Sequence, residues 1–398
     1  MRLNLRSTGV GLFATICVLA TSCAGNTLSG GGNSTSGGRT LHIGMSLTAT
    51  GAPAYAALGY GLQAYLQYRN DTTAGVNGYK FDFNIVNNAN TAQGGATSVP
   101  QLLSPKPDLL VVEGSNPFVG SLEVLKSQTA DLPVVAFADA DKVKGANLSN
   151  LFGTWPSYAR ECVVLAQYAI KVKKQTNLAL LYLDNAIGQG ASESCPASMK
   201  ALGATKVTSI AIPPTSTTFT SIATQMKQAG VEGGIFIALS PQAKGVQAAA
   251  VGIGYKPSWY GFSSLLDQQY LALAGSAAEG TILDSWIEAL NEDTPEVTLF
   301  KQQIAKYSPQ SETALGAYGW TLGAVVAAGV EQATKGGKAL TAASWMAALR
   351  QMKDAKLGLG PSLTYAGDQS SVVRQISMYQ VEGTQFVKVS DLITIPTS

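Results

Sequence analysis

The sequence predicts an α/β protein built from two doubly wound, Rossmann-like lobes. Three observations lead there. A chain of 398 residues is long enough for about two domains. Hydrophobic residues make up 46% and charged residues 13% of it, which supports a sizeable core and excludes a disordered chain or a long coiled coil. From Arg39 onward, short apolar runs rich in β-branched residues alternate with longer segments of helical periodicity. That alternation is the pattern of a parallel sheet covered by helices on both faces.

The elements follow in order. A strand is predicted over 41–46 and a helix over 59–70, where Leu62, Tyr65, Leu66 and Arg69 fall at three- and four-residue steps. A strand at 81–86, a helix at 93–103, a buried strand at 108–113, a helix at 118–129 and a strand at 133–136 complete the first series. The second series begins near Phe152. It runs through a helix at 157–171, a strand at 178–183, a helix ending near Leu202, a strand at 207–212, a helix at 217–229, a strand at 234–238, a helix at 242–251 and a strand at 258–262. Gly203 and Gly230 stand just past helix ends, where a left-handed cap favours glycine. The tail reads as a strand at 281–286, helices at 295–307, 314–334 and 342–352, and antiparallel strands at 363–365, 374–382 and 385–389.

Arg2 and Arg6, a short apolar run over 10–20, and small residues ending at Cys23 have the order of a secretory leader. The run is too short to span a bilayer, which takes ~20 residues. Small residues before a cysteine resemble the cleavage box of bacterial lipoproteins, which implies removal of 1–22 and lipidation of Cys23. The segment 23–39 then serves as an uncharged Gly/Ser-rich tether, spanning roughly 20 Å on average. Two acyl chains would hold it firmly to a membrane. Loss of Arg2 and Arg6 leaves a body of zero net charge, so no basic surface argues for nucleic acid.

Of the four cysteines, Cys17 is expected to depart with the leader and Cys23 to be lipidated, as the lipoprotein resemblance implies. Cys162 and Cys195 remain as an even pair in an oxidising compartment and are expected to form a disulfide. His42 is the only histidine, which excludes most histidine-based catalytic constellations and metal sites. No phosphate-binding GxxxxGK[ST] loop and no GxSxG elbow occur, and Gly59, Gly61 and Ala64 match a dinucleotide fingerprint only inside a helix, far from its strand. No enzyme activity, cofactor or metal is expected.

Ile43-Gly44-Met45-Ser46-Leu47-Thr48-Ala49-Thr50-Gly51, followed by Ala54, Tyr55 and Gly59, resembles the first strand and "PLTG" loop of type I periplasmic substrate-binding proteins, the leucine/isoleucine/valine-binding family that feeds ABC importers. Further likenesses keep the family's order: Gly75-Val76-Asn77-Gly78-Tyr79-Lys80, Val112-Glu113-Gly114-Ser115-Asn116, Leu132-Pro133-Val134-Val135, Phe152-Gly153-Thr154-Trp155-Pro156-Ser157 and Ala317-Tyr318-Gly319-Trp320. The resemblance covers about residues 40–390. It implies two lobes joined by three crossing strands, with lobe one at 40–152 and 278–345, lobe two at 153–277 and 346–398, and crossings near 152, 278 and 345. It also implies an extracytoplasmic monomer that hands a small solute to a permease and its ATPase. A ligand sensor of the same fold would share the cleft, and a secreted hydrolase is a distant third.

Ligands of open α/β sheets lie beyond the carboxyl ends of the strands. Ser115 and Asn116 follow a buried strand and open a helix, whose backbone N–H groups suit a carboxylate. Tyr55 stands where an aromatic closes over ligand. Ala138, Asp139 and Ala140 occupy the loop that binds the amino-acid carboxylate in the family, with Asp139 and Asp141 expected to face solvent. Ile187 replaces a family tyrosine, and hydroxyls near Ser263 replace a family acid that pairs with the ligand ammonium. Trp155, Trp286 and Phe262 are candidate ligand walls. Without that acid an ammonium would be buried unpaired, at a cost of several kcal/mol. Either an acid such as Asp139 substitutes, or the solute lacks an ammonium. An aromatic or other apolar carboxylic acid, or an amide, is the better expectation.

Overall fold

Strand β3 (Leu109–Glu113) shows how the first lobe is built. Leu109 and Val111 join one apolar cluster while Leu110 and Val112 join another. Successive strand side chains point to opposite faces, so both faces of this sheet are covered. The sheet contains β1 (Thr40–Leu47), β2 (Lys80–Asn87), β3, β4 (Val134–Phe137) and β5 (Leu151–Gly153) in the order β2-β1-β3-β4-β5, all parallel. Helices α1 (Ala56–Thr73), α2 (Ala92–Leu103), α3 (Ser115–Gln128) and α4 (Ala140–Ala146) connect them. The structure is a computed structural model describing residues 39–50 and 53–396. The expected leader, Cys23 and all but the last residue of the tether lie outside the described residues.

The second lobe repeats the plan. Helix α5 (Tyr158–Lys171) leads into β6 (Asn177–Leu183), α6 (Gln189–Leu202), β7 (Lys206–Ile212), α7 (Thr220–Gln228), β8 (Gly233–Ile237), α8 (Ser240–Gly252), β9 (Ser258–Gly261), α9 (Gln268–Ala274) and β10 (Ile282–Ser285). These strands lie parallel in the order β7-β6-β8-β9-β10. β11 (Gln375–Glu382) adds antiparallel to β10, and β12 (Gln385–Lys388) and β13 (Ile393–Thr394) pair with β11. Cys162 of α5 and Cys195 of α6 form the expected disulfide. Gly203 and Gly230 adopt the left-handed conformation predicted for helix ends.

Between β10 and β11 the chain returns to the first lobe as α10 (Pro295–Tyr307), α11 (Ala314–Ala333) and α12 (Ala342–Arg350). Helix α11 is buried almost throughout and packs against α1 and α12. The contact with α1 is made through glycine. A Cβ on Gly319 would lie 1.8 Å from the Leu58 carbonyl oxygen, and one on Gly61 would lie 2.0 Å from that of Gly316. No side chain fits between the two backbones.

Two expected crossings fall later than the sequence suggests. β10 still belongs to the second sheet, so the chain leaves lobe two after Ser285 and not near 278. α12 packs on α11, and Gln369 caps the carbonyls of Leu148, Ser149 and Leu151, so the third passage comes near 370–374 and not near 345. The strand predicted at 363–365 is a single bridge from Leu363 to Ala355. β5 and α4, three and seven residues long, have too few residues to show a period.

Candidate functional site

In the first sheet the strand order reverses between β1 and β3, and in the second between β6 and β8. A crevice opens outside the carboxyl ends of strands at such switch points. The two lobes turn these ends toward each other. The residues that line the resulting cleft come from the segments the topology names. From lobe one they are Thr48 and Tyr55 after β1, Glu113 at the end of β3 with Gly114 and Ser115 after it, and Phe137 at the end of β4, with Leu58 and Asn90 beside them. From lobe two they are Ile187 after β6, Leu239 after β8, Phe262 and Ser264 after β9, and Tyr158 at the start of α5. Trp155 lines it from the first crossing. The cleft is narrow: about 450 Å³ lies unfilled among its lining residues, solvent-open space included, of which about 30 Å³ has room for water.

Most of this lining is aromatic or aliphatic. Its polar groups are few. Helix α3 begins here, and its N-cap is Gly114, at φ +96°, with no side-chain cap. The first N–H groups of a helix have no intrahelical acceptor, and Pro117 has none to offer, so those of Ser115 and Asn116 are the donors at this end. The Ser115 hydroxyl takes the Asp139 N–H at 3.1 Å and donates to the Tyr158 hydroxyl at 3.3 Å. The Tyr55 hydroxyl is buried and has no partner among the described residues. Burial and the nearby acids Asp267 and Glu113 push its ionisation well up, so it stays a neutral donor.

Glu113 ends the buried strand β3, is 1% exposed, and has no partner on either carboxyl oxygen among the described residues. Burial pushes it up to about 8, against smaller opposite pulls from Thr48 and Gly59. Sequence reasoning passed over it as a donor loop residue. Its signal was a charge closing an otherwise apolar run at the carboxyl end of a strand.

Of the residues singled out from sequence, Tyr55, Ser115, Ile187, Trp155 and Phe262 meet at the cleft. Others do not. Asn116 turns away and donates to the Asn90 carbonyl at 3.3 Å. Ala138 and Ala140 are buried below the lining, which Phe137 supplies. Asp139 does not face solvent: it is 1% exposed, and its Oδ1 caps α4 at Asp141 N–H and accepts the Tyr158 N–H, each at 3.2 Å. Burial and the neighbouring Asp141 push its carboxyl up to about 7. Ser263 is taken by Glu161, to which it donates through N–H and hydroxyl, and by the Trp155 indole N–H at 3.1 Å; Ser264 lines the cleft in its place. Trp286 is fully buried against Tyr318 and Trp155, and of these Trp155 reaches the cleft. Behind Ser263, Asp284 stands beside Glu161; burial raises both carboxyls, with Glu161 adding to the rise at Asp284 and Asp139 adding to the rise at Glu161.

Among the described residues no group of three or more His, Cys, Asp or Glu side chains is placed to hold a metal. None of the described helices is long and apolar enough to cross a membrane. The sequence model of the periplasmic binding protein family matches residues 40–385. A Leu/Ile/Val-binding protein homolog from Brucella melitensis is 23% identical over 299 residues, covering 75% of this chain and 79% of the relative. Among solved structures, a branched chain amino acid ABC transporter protein from Thermus thermophilus with bound valine superposes with a TM-score of 0.80 at 18% identity, over 89% of this chain and 96% of that one. A solute binding protein of an ABC transporter from R. palustris, in complex with 4-hydroxybenzoate, gives 0.77 at 16%, over 90% and 98%.

Proposed function

The chain belongs to the periplasmic binding protein family, and from that premise we propose that it is a lipid-anchored, extracytoplasmic receptor of an ABC importer that closes its two lobes on a small solute with a carboxylate and an apolar body. One observation carries this reading: the switch-point loops of both sheets converge on one aromatic-walled cleft where helix α3 begins. The uncapped start of α3 and its dipole suit a carboxylate. The aromatic and aliphatic walls suit the apolar remainder. The valine and the 4-hydroxybenzoate in the two structural neighbours both have a carboxylate on a small body.

Solute held by both lobes stabilises the closed form, and a permease with its ATPase reads that form. Only a solute that binds closed better than open shifts the balance. Cys23 is the attachment point, and the segment after it holds the body clear of the bilayer. A thermal-shift screen tests the binding reading, using branched-chain and aromatic amino acids, aromatic acids, amides and urea. A solute at 100 times its dissociation constant adds ~2.7 kcal/mol. A clear rise in melting temperature with a carboxylate-bearing member is expected; no rise with any member overturns the reading. Cys23→Ala should release the protein from the membrane fraction.

A further inference from the structure

We propose that Glu113 is the counter-charge for the bound solute, so the cleft selects a small, mainly apolar solute that bears a protonated nitrogen. The inference rests on the cleft being the solute site and adds the charge and the residue that reads it.

Glu113 is buried and lines the cleft, and among the described residues neither of its carboxyl oxygens has a hydrogen-bond partner. Buried polar groups in folded proteins are paired in the great majority of cases, and an unpaired carboxyl is costly. Among the described residues no lysine, arginine or histidine lines the cleft. Tyr55, from the turn after β1, feels Glu113 and beyond it Asp267 and Tyr158, and Thr48 and Gly59 stand by the Glu113 carboxyl, so none of these groups supplies a positive charge. The missing partner has to arrive with the solute. The walls suit the same kind of solute, because Tyr55, Phe137, Trp155, Tyr158 and Phe262 line the cleft and an aromatic ring attracts a cation held over its face. Glu113 stands two residues before Ser115, so opposite charges of a zwitterion find acceptor and donors side by side. This acid lies in lobe one, whereas Ser263 and Ser264 hold the place in lobe two where the family resemblance implies one.

Matched pairs test this by calorimetry on the purified protein: leucine against 4-methylpentanoate, phenylalanine against 3-phenylpropanoate, and phenethylamine alone. The amine-bearing member of a pair should bind at least about tenfold more tightly. Binding should release a proton as Glu113 ionises, seen as a dependence of the heat on the buffer's ionisation enthalpy. Glu113→Gln should lose about tenfold or more for the amine-bearing member, abolish the proton release, and leave the des-amino member unchanged. The melting curve of the variant verifies folding. Equal or tighter binding of the des-amino acids, with Glu113→Gln unchanged, overturns this inference and leaves the receptor reading in place. No binding by any compound overturns both.

Discussion

The Ser115 hydroxyl donates to the Tyr158 hydroxyl at 3.3 Å, a hydrogen bond that ties helix α3 of one lobe to helix α5 of the other at the cleft. Asp139 completes the fastening, giving its N–H to Ser115 and accepting that of Tyr158. Three residues from three segments thus join the lobes where solute would bind.

Tyr158→Phe removes the cross-lobe bond and little else. A neutral hydrogen bond contributes about 0.5–1.5 kcal/mol, so affinity for the solute found by screening should fall about two- to tenfold. Ser115→Ala should cost about 1–3 kcal/mol, because its partners are left buried and a direct donor to the solute is lost. Titration calorimetry measures both. Equal, unchanged affinity in the two variants would show that the bond plays no part in closure.

Five buried acids set the pH dependence of the solute-free protein. Glu113 and Glu161 are raised to about 8 and Asp139 to about 7, and Asp267 and Asp284 are raised as well, in each case chiefly by burial. The folded state therefore keeps protons that the unfolded chain releases above about pH 4. Stability should fall as pH rises from about 4 to about 8. The melting temperature at pH 5.5 should exceed that at pH 8.5 by on the order of 5 °C or more. Affinity for a cationic solute should move the opposite way, rising with pH by up to about tenfold per unit and levelling off once Glu113 is ionised without help. A melting temperature that climbs across the same window would contradict the burial of these acids.

Reducing the Cys162–Cys195 bond, which closes a separation of 33 residues, should cost ~3–4 kcal/mol in the chain-entropy picture. Melting with and without reductant measures the loss. Alkylation before reduction should add no mass at either cysteine in the native protein.

Gly319→Ala forces a methyl group to within 1.8 Å of the Leu58 carbonyl oxygen unless α1 and α11 separate. Overpacking of this kind costs about 1–3 kcal/mol and sometimes more. Gly252→Ala, on an exposed helix end with open space around it, is the control and should be close to neutral. Chemical denaturation distinguishes the two.

The alternation of strands and helices was legible because each long element carries its own period. Strands such as Leu109–Glu113 and helices such as Pro295–Tyr307 stand within a few residues of expectation. The lobe boundaries were less legible, since β10 is fixed in the second sheet by pairing with β9 on one side and with β11, almost a hundred residues later, on the other, which no local pattern records. At the site, Tyr55 and Ser115 followed from their places after strands. Asp139 was misread because, besides capping α4 at Asp141, its carboxyl is held inward by the N–H of Tyr158 from the other lobe. Ser263 was misread for a like reason: Glu161 claims it from a distance of 102 residues. Glu113 was written in the sequence as a charge ending an apolar run, but its solitude is a property of three dimensions.

The close seat of α11 on α1 fixes an order of events during synthesis. Leu58 and Leu62 face a helix whose last residue is Ala333, so the opening strands and helices emerge long before the surface that completes them exists. Most of the central lobe, by contrast, is one unbroken stretch. More than two hundred further residues are made between α1 and the helix that covers it. Contacts this distant along the chain form slowly. Such a delay suits a polypeptide that has to be threaded through a membrane before it settles into shape.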